Sequence, residues 1–117
     1  ALEQAGSVQE RQRLCQRLGR FVGQMHEQGV YFRSLHLGNV LLLDDDSFGL
    51  IDLADLRILP SPLSRTLRQR NLRHMQRYTE DRRWLFEENV EALLNGYADV
   101  ASARNTQLIR QRLQPTE

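Results

Sequence analysis

The chain has 117 residues, 40% of them hydrophobic, which suits a single domain spanning residues 1–117. Its formal net charge is +1, and all 16 basic residues are arginine, so any chemistry that needs a lysine must find it outside this sequence. The one cysteine, Cys15, excludes an internal disulfide and a cysteine-rich zinc site. No stretch approaches the roughly 18 consecutive apolar residues of a transmembrane helix, so we expect a cytoplasmic protein.

A long helix is predicted over residues 8–28. Ser7 and Glu10 form a capping-box pattern at its start, and Gly29 suits a left-handed residue just past its end. Apolar residues recur at helical spacing between these limits, at Leu14, Leu18, Phe21, Val22 and Met25. Cys15 lies on the same face, so we expect it to be a buried structural thiol.

Two apolar runs, residues 40–43 and 48–51, predict a pair of short buried strands. The aspartates at 44–46 stand between them. They lack the alternating ligands, the glycine and the terminal glutamate of an EF-hand loop, so we interpret them as a solvated turn.

Helical periodicity returns after Pro60 and Pro62, which break the chain. One helical segment is predicted around residues 67–78. Thr79 is predicted to cap the next helix, which ends at Gly96, and a last helix is expected over residues 98–113. The predicted fold class is therefore α+β and mainly helical, with a long helix, a small β-hairpin and two or three further helices.

The segment from residue 31 to residue 56 carries the chemistry. The sequence Leu-His-x-Gly-Asn ends at Asn39, just before the first strand, and Asp52 follows the second strand. A hairpin of this length returns the chain on itself, so the two side chains should converge. Amide and carboxylate oxygens are donors that suit Mg²⁺ held between a protein and phosphates.

This layout resembles the catalytic and metal-binding loops of protein-kinase-like folds, which follow the pattern H-R-D-L-x-x-x-N with a later aspartate at a strand end. It is most similar to the lipopolysaccharide core (heptose and Kdo) kinases and the bacterial toluene-tolerance proteins, over roughly residues 8–100. The resemblance implies a C-terminal lobe of a kinase-like phosphotransferase, with Asn39 and Asp52 as the ligands of Mg²⁺ and ATP. It also implies a lipopolysaccharide core sugar or another small molecule as acceptor, and contact with the inner-membrane surface.

The resemblance breaks at the position of the catalytic aspartate, which is Ser34 here, next to Arg33. Phe32 replaces the histidine that opens the pattern. A serine accepts a proton usefully only when a base is nearby. Three alternatives stay open: the domain is catalytically silent, His36 or Asp55 serves as the base, or positioning and Mg²⁺ suffice. We interpret His36 first as a residue that organises the loop.

The sequence contains neither a glycine-rich phosphate loop nor a lysine to orient phosphates. We therefore expect an N-terminal lobe outside this chain, and we expect the chain alone to bind ATP poorly and to be inactive. Without that lobe an apolar surface near the loop should be exposed, which predicts self-association.

Seven arginines lie within residues 65–83, and Arg70, Arg73 and Arg77 share a helical face. We favour a solvated, partly ion-paired surface for them, with an acidic lipopolysaccharide or membrane surface as the functional alternative. Two rivals to a kinase remain. A non-catalytic pseudokinase scaffold is indicated by Ser34, and an arginine-rich helical nucleic-acid-binding domain would make the metal-binding pattern incidental.

Overall fold

The computed structural model describes residues 7–43, 47–102 and 105–107, and its longest element is helix α1, Val8–Glu27. Ser7 Oγ accepts a hydrogen bond from the Glu10 amide at 3.1 Å, which satisfies one of the free N–H groups at the helix start. Gly29 has a φ of +79°, the left-handed conformation that ends many helices. The predicted long helix and its two end residues are therefore confirmed.

The other elements complete an α+β fold that is mainly helical, as predicted. They follow in chain order: β1 Val30–Phe32, a 3₁₀ turn Leu37–Asn39, β2 Val40–Leu42, β3 Phe48–Leu50, β4 Leu56–Ile58, α2 Arg65–Met75, α3 Thr79–Asp81, a π-helical segment Arg82–Glu87 and α4 Val90–Ala98. Within the described residues, no helix is both long enough and apolar enough to cross a membrane.

The strands form two separate antiparallel pairs. The predicted hairpin is β2–β3, in which Val40 lies opposite Leu50. The second pair, β1–β4, places Val30 opposite Ile58 and has no counterpart in the sequence prediction, because three-residue strands are too short to show alternation. This second pair brings together the two ends of the segment that contains every candidate site residue.

The prediction that the hairpin strands are buried is wrong. Leu41, Leu42 and Leu43 expose 45%, 40% and 44% of their surface. Only part of the hairpin, including Val40 and Leu50, packs against the core, while these three leucines remain partly exposed. The exposed apolar surface is thus present, while self-association through it stays a prediction. The acidic turn at 44–46 lies outside the described residues.

The predicted helix from Thr79 to Gly96 is interrupted. Thr79 is the first residue of α3 rather than its cap, and the chain passes through the π-helical segment before a break at Asn89. Asn89 Nδ2 donates to the Trp84 carbonyl at 2.8 Å, so a side chain replaces a backbone partner where the helix stops. Gly96 lies inside α4.

The predicted last helix is also revised at its start. Helix α4 ends at Ala98, and residues 99–101 form a turn and a bend. Residues 105–107 are helical, and residues 108–113 lie outside the described part of the chain.

The core is centred on the crossing of α1 and α4, where two glycines let the backbones touch. A Cβ atom added at Gly19 would lie 1.9 Å from the Leu93 carbonyl oxygen, and one at Gly96 would lie 1.7 Å from the Gln16 carbonyl oxygen. Cys15 is buried nearby, as predicted, and burial raises the pKa of its thiol to about 12.

Replacing Gly96 with alanine should therefore destabilise the protein. The methyl group must push the two backbones apart, and overpacking of this kind costs about 1–3 kcal/mol, against a gain of about 1 kcal/mol in helix propensity. Urea unfolding of Gly96→Ala measures the net loss. Gly49→Ala is the control, because its Cβ would lie at an ordinary 3.5 Å from the Leu43 side chain. Equal stability of the two variants would contradict the close crossing.

Candidate functional site

Asn39 is fixed by three hydrogen bonds at the junction between the loop and the hairpin. Its amide N–H donates to the His36 carbonyl at 2.9 Å, and its side-chain Nδ2 donates to the Ser34 carbonyl at 3.1 Å. Its own carbonyl accepts from the Ile51 amide at 3.0 Å. Because Nδ2 is engaged, the side-chain oxygen Oδ1 is the atom of this amide that suits a cation.

Asp52 follows Ile51 directly, so the hairpin brings its backbone to the same end as Asn39, while the convergence of the two side chains stays a prediction. Its side chain is exposed, and its φ is +60°, the only positive value at a non-glycine position among the described residues. The left-handed conformation costs about 1–2 kcal/mol for most residues, although aspartate tolerates it better than most. Such strain is typical of functional positions.

Asp81 anchors the loop from helix α3, and sequence reasoning missed it. Both of its carboxylate oxygens face the Leu37 amide, at 3.2 Å and 3.0 Å. Asp81 is almost fully buried, and burial raises its pKa to about 7 even though the Leu37 N–H favours the charged form. A lone acidic residue at a helix start carries no sequence pattern that distinguishes this role from an ordinary first-turn carboxylate.

His36 supports the same loop from inside. Its Nδ1 accepts from the Gly38 amide at 3.0 Å, and its ring stacks on Tyr78 with centroids 4.3 Å apart and planes at 22°. One ring nitrogen and one ring face are therefore engaged locally. This geometry supports the interpretation of His36 as a loop-organising residue.

Ser34, at the position of the family's catalytic aspartate, has a carboxylate beside it. Its hydroxyl donates to Asp55 Oδ2. The other carboxylate oxygen, Oδ1, is buried and has no hydrogen-bond partner among the described residues. Arg33, the neighbour in the pattern, is exposed.

Comparison with known proteins assigns the chain to a family. The model of the lipopolysaccharide kinase (Kdo/WaaP) family matches residues 2–97. The chain belongs to this family. No curated protein and no solved structure matches it. The closest family named from the sequence is therefore confirmed, and membership implies ATP and Mg²⁺ as reactant and metal in the full-length lipopolysaccharide kinase.

The residues present fit a magnesium ion of the kind that kinases use. Mg²⁺ is usually held by one or two protein carboxylates and completes its coordination with water and phosphate oxygens. Asn39 and Asp52 supply two hard oxygen donors, and the described residues contain no cluster of three or more His, Cys, Asp or Glu side chains that could cage a metal. This donor set suits a metal shared with phosphates rather than a closed structural site.

A broad cleft of about 1030 Å³ lies beside Ser34 and is strongly basic. Its charged or titratable lining residues come from the loop, from β4 and the residue before it, and from α2 and the turn after it: Arg33, Asp55, Arg57, Arg70, Arg73, His74 and Arg77. The three arginines predicted to share a helical face thus line one concave surface. The pKa of His74 is lowered by burial and by the nearby charges of Arg77 and Arg33.

The other arginines of the run divide between the surface and the core. Arg82 and Arg83 form exposed ion pairs at 3.6 Å with Glu87 and Glu88, as expected for a solvated surface. Arg68 departs from that expectation, because it is 1% exposed and pairs with Glu27. The helical periodicity of α2 places Arg68 on the inner face of the helix, between α1 and α4.

Arg68 belongs to a buried polar network around His26. His26 Nδ1 contacts the Tyr97 hydroxyl at 2.7 Å and Nε2 contacts Asn71 Oδ1 at 2.9 Å, while Arg68 donates to the same hydroxyl at 3.2 Å. Asn71 Nδ2 donates to the Phe32 carbonyl at 2.8 Å, just ahead of the loop. Burial, with a smaller effect from Arg68, lowers the pKa of His26 to about 4.

The shifted pKa values of Asp81 and His26 give opposite pH dependences of stability. Asp81 binds its proton more tightly when folded, so its stabilising contribution is full below about pH 4 and is lost as the pH rises toward 7. His26 binds its proton more weakly when folded, so its contribution is full above about pH 6.5 and is lost as the pH falls toward 4. Between about pH 4 and pH 6.5 the two groups therefore change the free energy of unfolding with pH in opposite directions.

Asp81→Asn should remove the contribution of Asp81 to the pH dependence of stability and leave that of His26. Between pH 4.5 and 6.5 the free energy of unfolding should rise with pH more steeply than in the unmodified protein, by about 1.4 kcal/mol per pH unit. Urea unfolding at several pH values measures this slope, with the exposed Asp99→Asn as control. Parallel curves for Asp81→Asn and the unmodified protein would show that Asp81 has no raised pKa.

Proposed function

We propose that this chain is the metal-binding lobe of a kinase that transfers the γ-phosphate of ATP to a hydroxyl of a lipopolysaccharide core sugar. The proposal is supported by the backbone hydrogen bond from the Ile51 amide to the Asn39 carbonyl, which brings positions 39 and 52 to one end of the hairpin. Phosphoryl transfer needs little covalent chemistry from the protein, because most of the rate comes from positioning and charge neutralisation. These two side chains would hold Mg²⁺ against the phosphates.

The nucleotide side of the site would be completed by a second lobe. The exposed apolar side chains of β2 and of Leu53 lie next to the metal-binding residues in the chain and offer a surface for it. That lobe would supply the lysine and the glycine-rich loop, neither of which occurs in this sequence. The chain by itself would then bind ATP poorly and transfer no phosphate.

The acceptor would lie on the other side of the loop, in the arginine cleft. Guanidinium groups bind phosphate and carboxylate in a two-pronged geometry, so a concave surface with five arginines suits an acceptor that carries several anionic groups. An acceptor anchored in a lipid would also bring this face close to the membrane surface.

A second candidate is a non-catalytic module that keeps the fold for binding. Ser34 favours it, since the position of the catalytic aspartate lacks a carboxylate of its own. Such a module would use the arginine cleft to hold an anionic ligand without transferring phosphate. A transfer assay separates the two candidates directly.

Asp52→Asn in the full-length protein tests the kinase proposal. The amide keeps the size of the side chain and tolerates the positive φ, but it removes the charge that binds Mg²⁺. Transfer of labelled phosphate from ATP to purified lipopolysaccharide should fall at least about 100-fold, since electrostatic stabilisation of this size is common at such sites. Calorimetric binding of ATP should lose its dependence on Mg²⁺.

Two controls accompany this experiment. Glu87→Gln changes an exposed carboxylate outside the site and should leave transfer unchanged. Asp52→Gly accepts the positive φ without strain and should lose transfer to the same extent, so a loss common to both variants does not come from backbone strain at this position. Full transfer by Asp52→Asn would refute the metal assignment.

Arg73→Gln tests the acceptor cleft. Loss of one charge-assisted hydrogen bond, worth about 1.5–3 kcal/mol, should raise the KM for lipopolysaccharide about tenfold or more while the KM for ATP stays the same. Arg65→Gln is the matched control, because Arg65 begins α2 but does not line the cleft. Equal effects of the two variants would mean that charge near α2, and not the cleft, attracts the acceptor.

A further inference from the structure

The hydrogen bond between Ser34 and Asp55 links the position of the missing base to a carboxylate on another segment. We propose that the two side chains form a proton relay, in which Ser34 Oγ takes the proton of the acceptor hydroxyl while its own proton passes to Asp55 Oδ2. The inference rests on the proposed kinase function and assigns the base of that reaction.

The backbone holds the two residues together independently of their side chains. Ser34 lies two residues after β1, where its carbonyl accepts from Asn39 Nδ2. Asp55 comes directly before β4, and the pairing of Phe32 with Leu56 places the two strands side by side. The contact between the hydroxyl and the carboxylate is therefore built into the β1–β4 sheet.

The surroundings of Asp55 argue against a purely structural carboxylate. Asp55 shares the cleft with five arginines, yet no arginine of the described residues forms an ion pair with it. Its Oδ1 is buried without a donor, a condition that costs about 1–3 kcal/mol and is rare in folded proteins. The Asp55 side chain is therefore held by the Ser34 hydroxyl and not by an ion pair with the described arginines.

The relay balances the transfer reaction. The acceptor oxygen forms a bond to the γ-phosphorus as its O–H bond breaks, and the bond from that phosphorus to the bridging oxygen of ADP breaks. The acceptor proton goes to Ser34 Oγ and the original serine proton goes to Asp55. Asp55 lines an open cleft, so this proton can leave to solvent before the next turnover.

Four variants of the full-length protein test the relay, with ATP, Mg²⁺ and purified lipopolysaccharide as reactants. Ser34→Ala and Asp55→Asn should each lower kcat by about 10²–10⁴-fold, and the double variant should be no worse than either, since the two residues act as a unit. In the Asp55→Asn background Ser34→Asp should restore transfer, because it returns a carboxylate to the position next to the acceptor.

Two measurements show whether a loss of kcat comes from the relay or from structural damage to the site. Calorimetric binding of ATP with Mg²⁺ should be the same in all four variants and in the unmodified protein, and Ser61→Ala, outside the site, should keep full kcat. If Asp55→Asn fails to fold, Ser34→Ala decides alone.

The outcomes also separate this inference from the proposed function. If Asp52→Asn loses transfer while Ser34→Ala or Asp55→Asn keeps kcat within about twofold, the relay is wrong and the kinase proposal stands. Failure of Ser34→Asp to restore transfer in Asp55→Asn would likewise overturn the relay. If the unmodified full-length protein transfers no phosphate, both ideas fall.

Discussion

The loop that carries the site depends on one buried side chain, His26, which forms hydrogen bonds with Tyr97 and Asn71. Both ring nitrogens are engaged and the ring is fully buried, so neither partner can be removed without leaving a buried polar atom unsatisfied, at about 1–3 kcal/mol each. Asn71 Nδ2 donates to the Phe32 carbonyl, so Asn71 Oδ1 can only accept, and it accepts from Nε2. Burial keeps the ring neutral by lowering its pKa to about 4, so Nδ1 accepts from the Tyr97 hydroxyl and the histidine is held in one tautomer.

The network matters for function because it ends on the backbone of the loop. Asn71 binds the Phe32 carbonyl from α2, while Asp81 binds the Leu37 amide from α3. The residues between these two anchors include Ser34 and His36. A loop tied from two helices can present its side chains in a fixed geometry, which is the main requirement of phosphoryl transfer.

The sequence predicted the parts of the fold whose patterns are local. The long helix was recognisable because Ser7 and Gly29 mark its ends and a full apolar stripe lies between them. The hairpin was recognisable because two apolar runs flank an acidic turn. The exposure of the hairpin could not be predicted. An apolar run shows that its side chains avoid water, but it does not show whether another part of the chain covers them.

The candidate site was predictable only where residue types carry a pattern. Asn39 and Asp52 follow the family motif at a fixed spacing, so they could be named in advance. Asp81 and Asn71 act on backbone groups that are 44 and 39 residues away in the chain, and such long-range partners leave no local trace. Arg68 is a similar case, because an arginine within an arginine-rich run gives no indication that it is buried.

The pairing of Ser34 with Asp55 gives the loss of the usual aspartate a physical meaning. An aspartate at position 34 would place two carboxylates within hydrogen-bond distance, and like charges so close force one of them to keep a proton. A serine avoids this conflict and turns the same contact into a hydrogen bond. The carboxylate at 55 and the serine at 34 are therefore compatible with each other in a way that the usual aspartate and Asp55 are not. In the relay proposed above, the carboxylate of the motif is supplied by Asp55, which is one hydrogen bond away from position 34 and lines the arginine cleft.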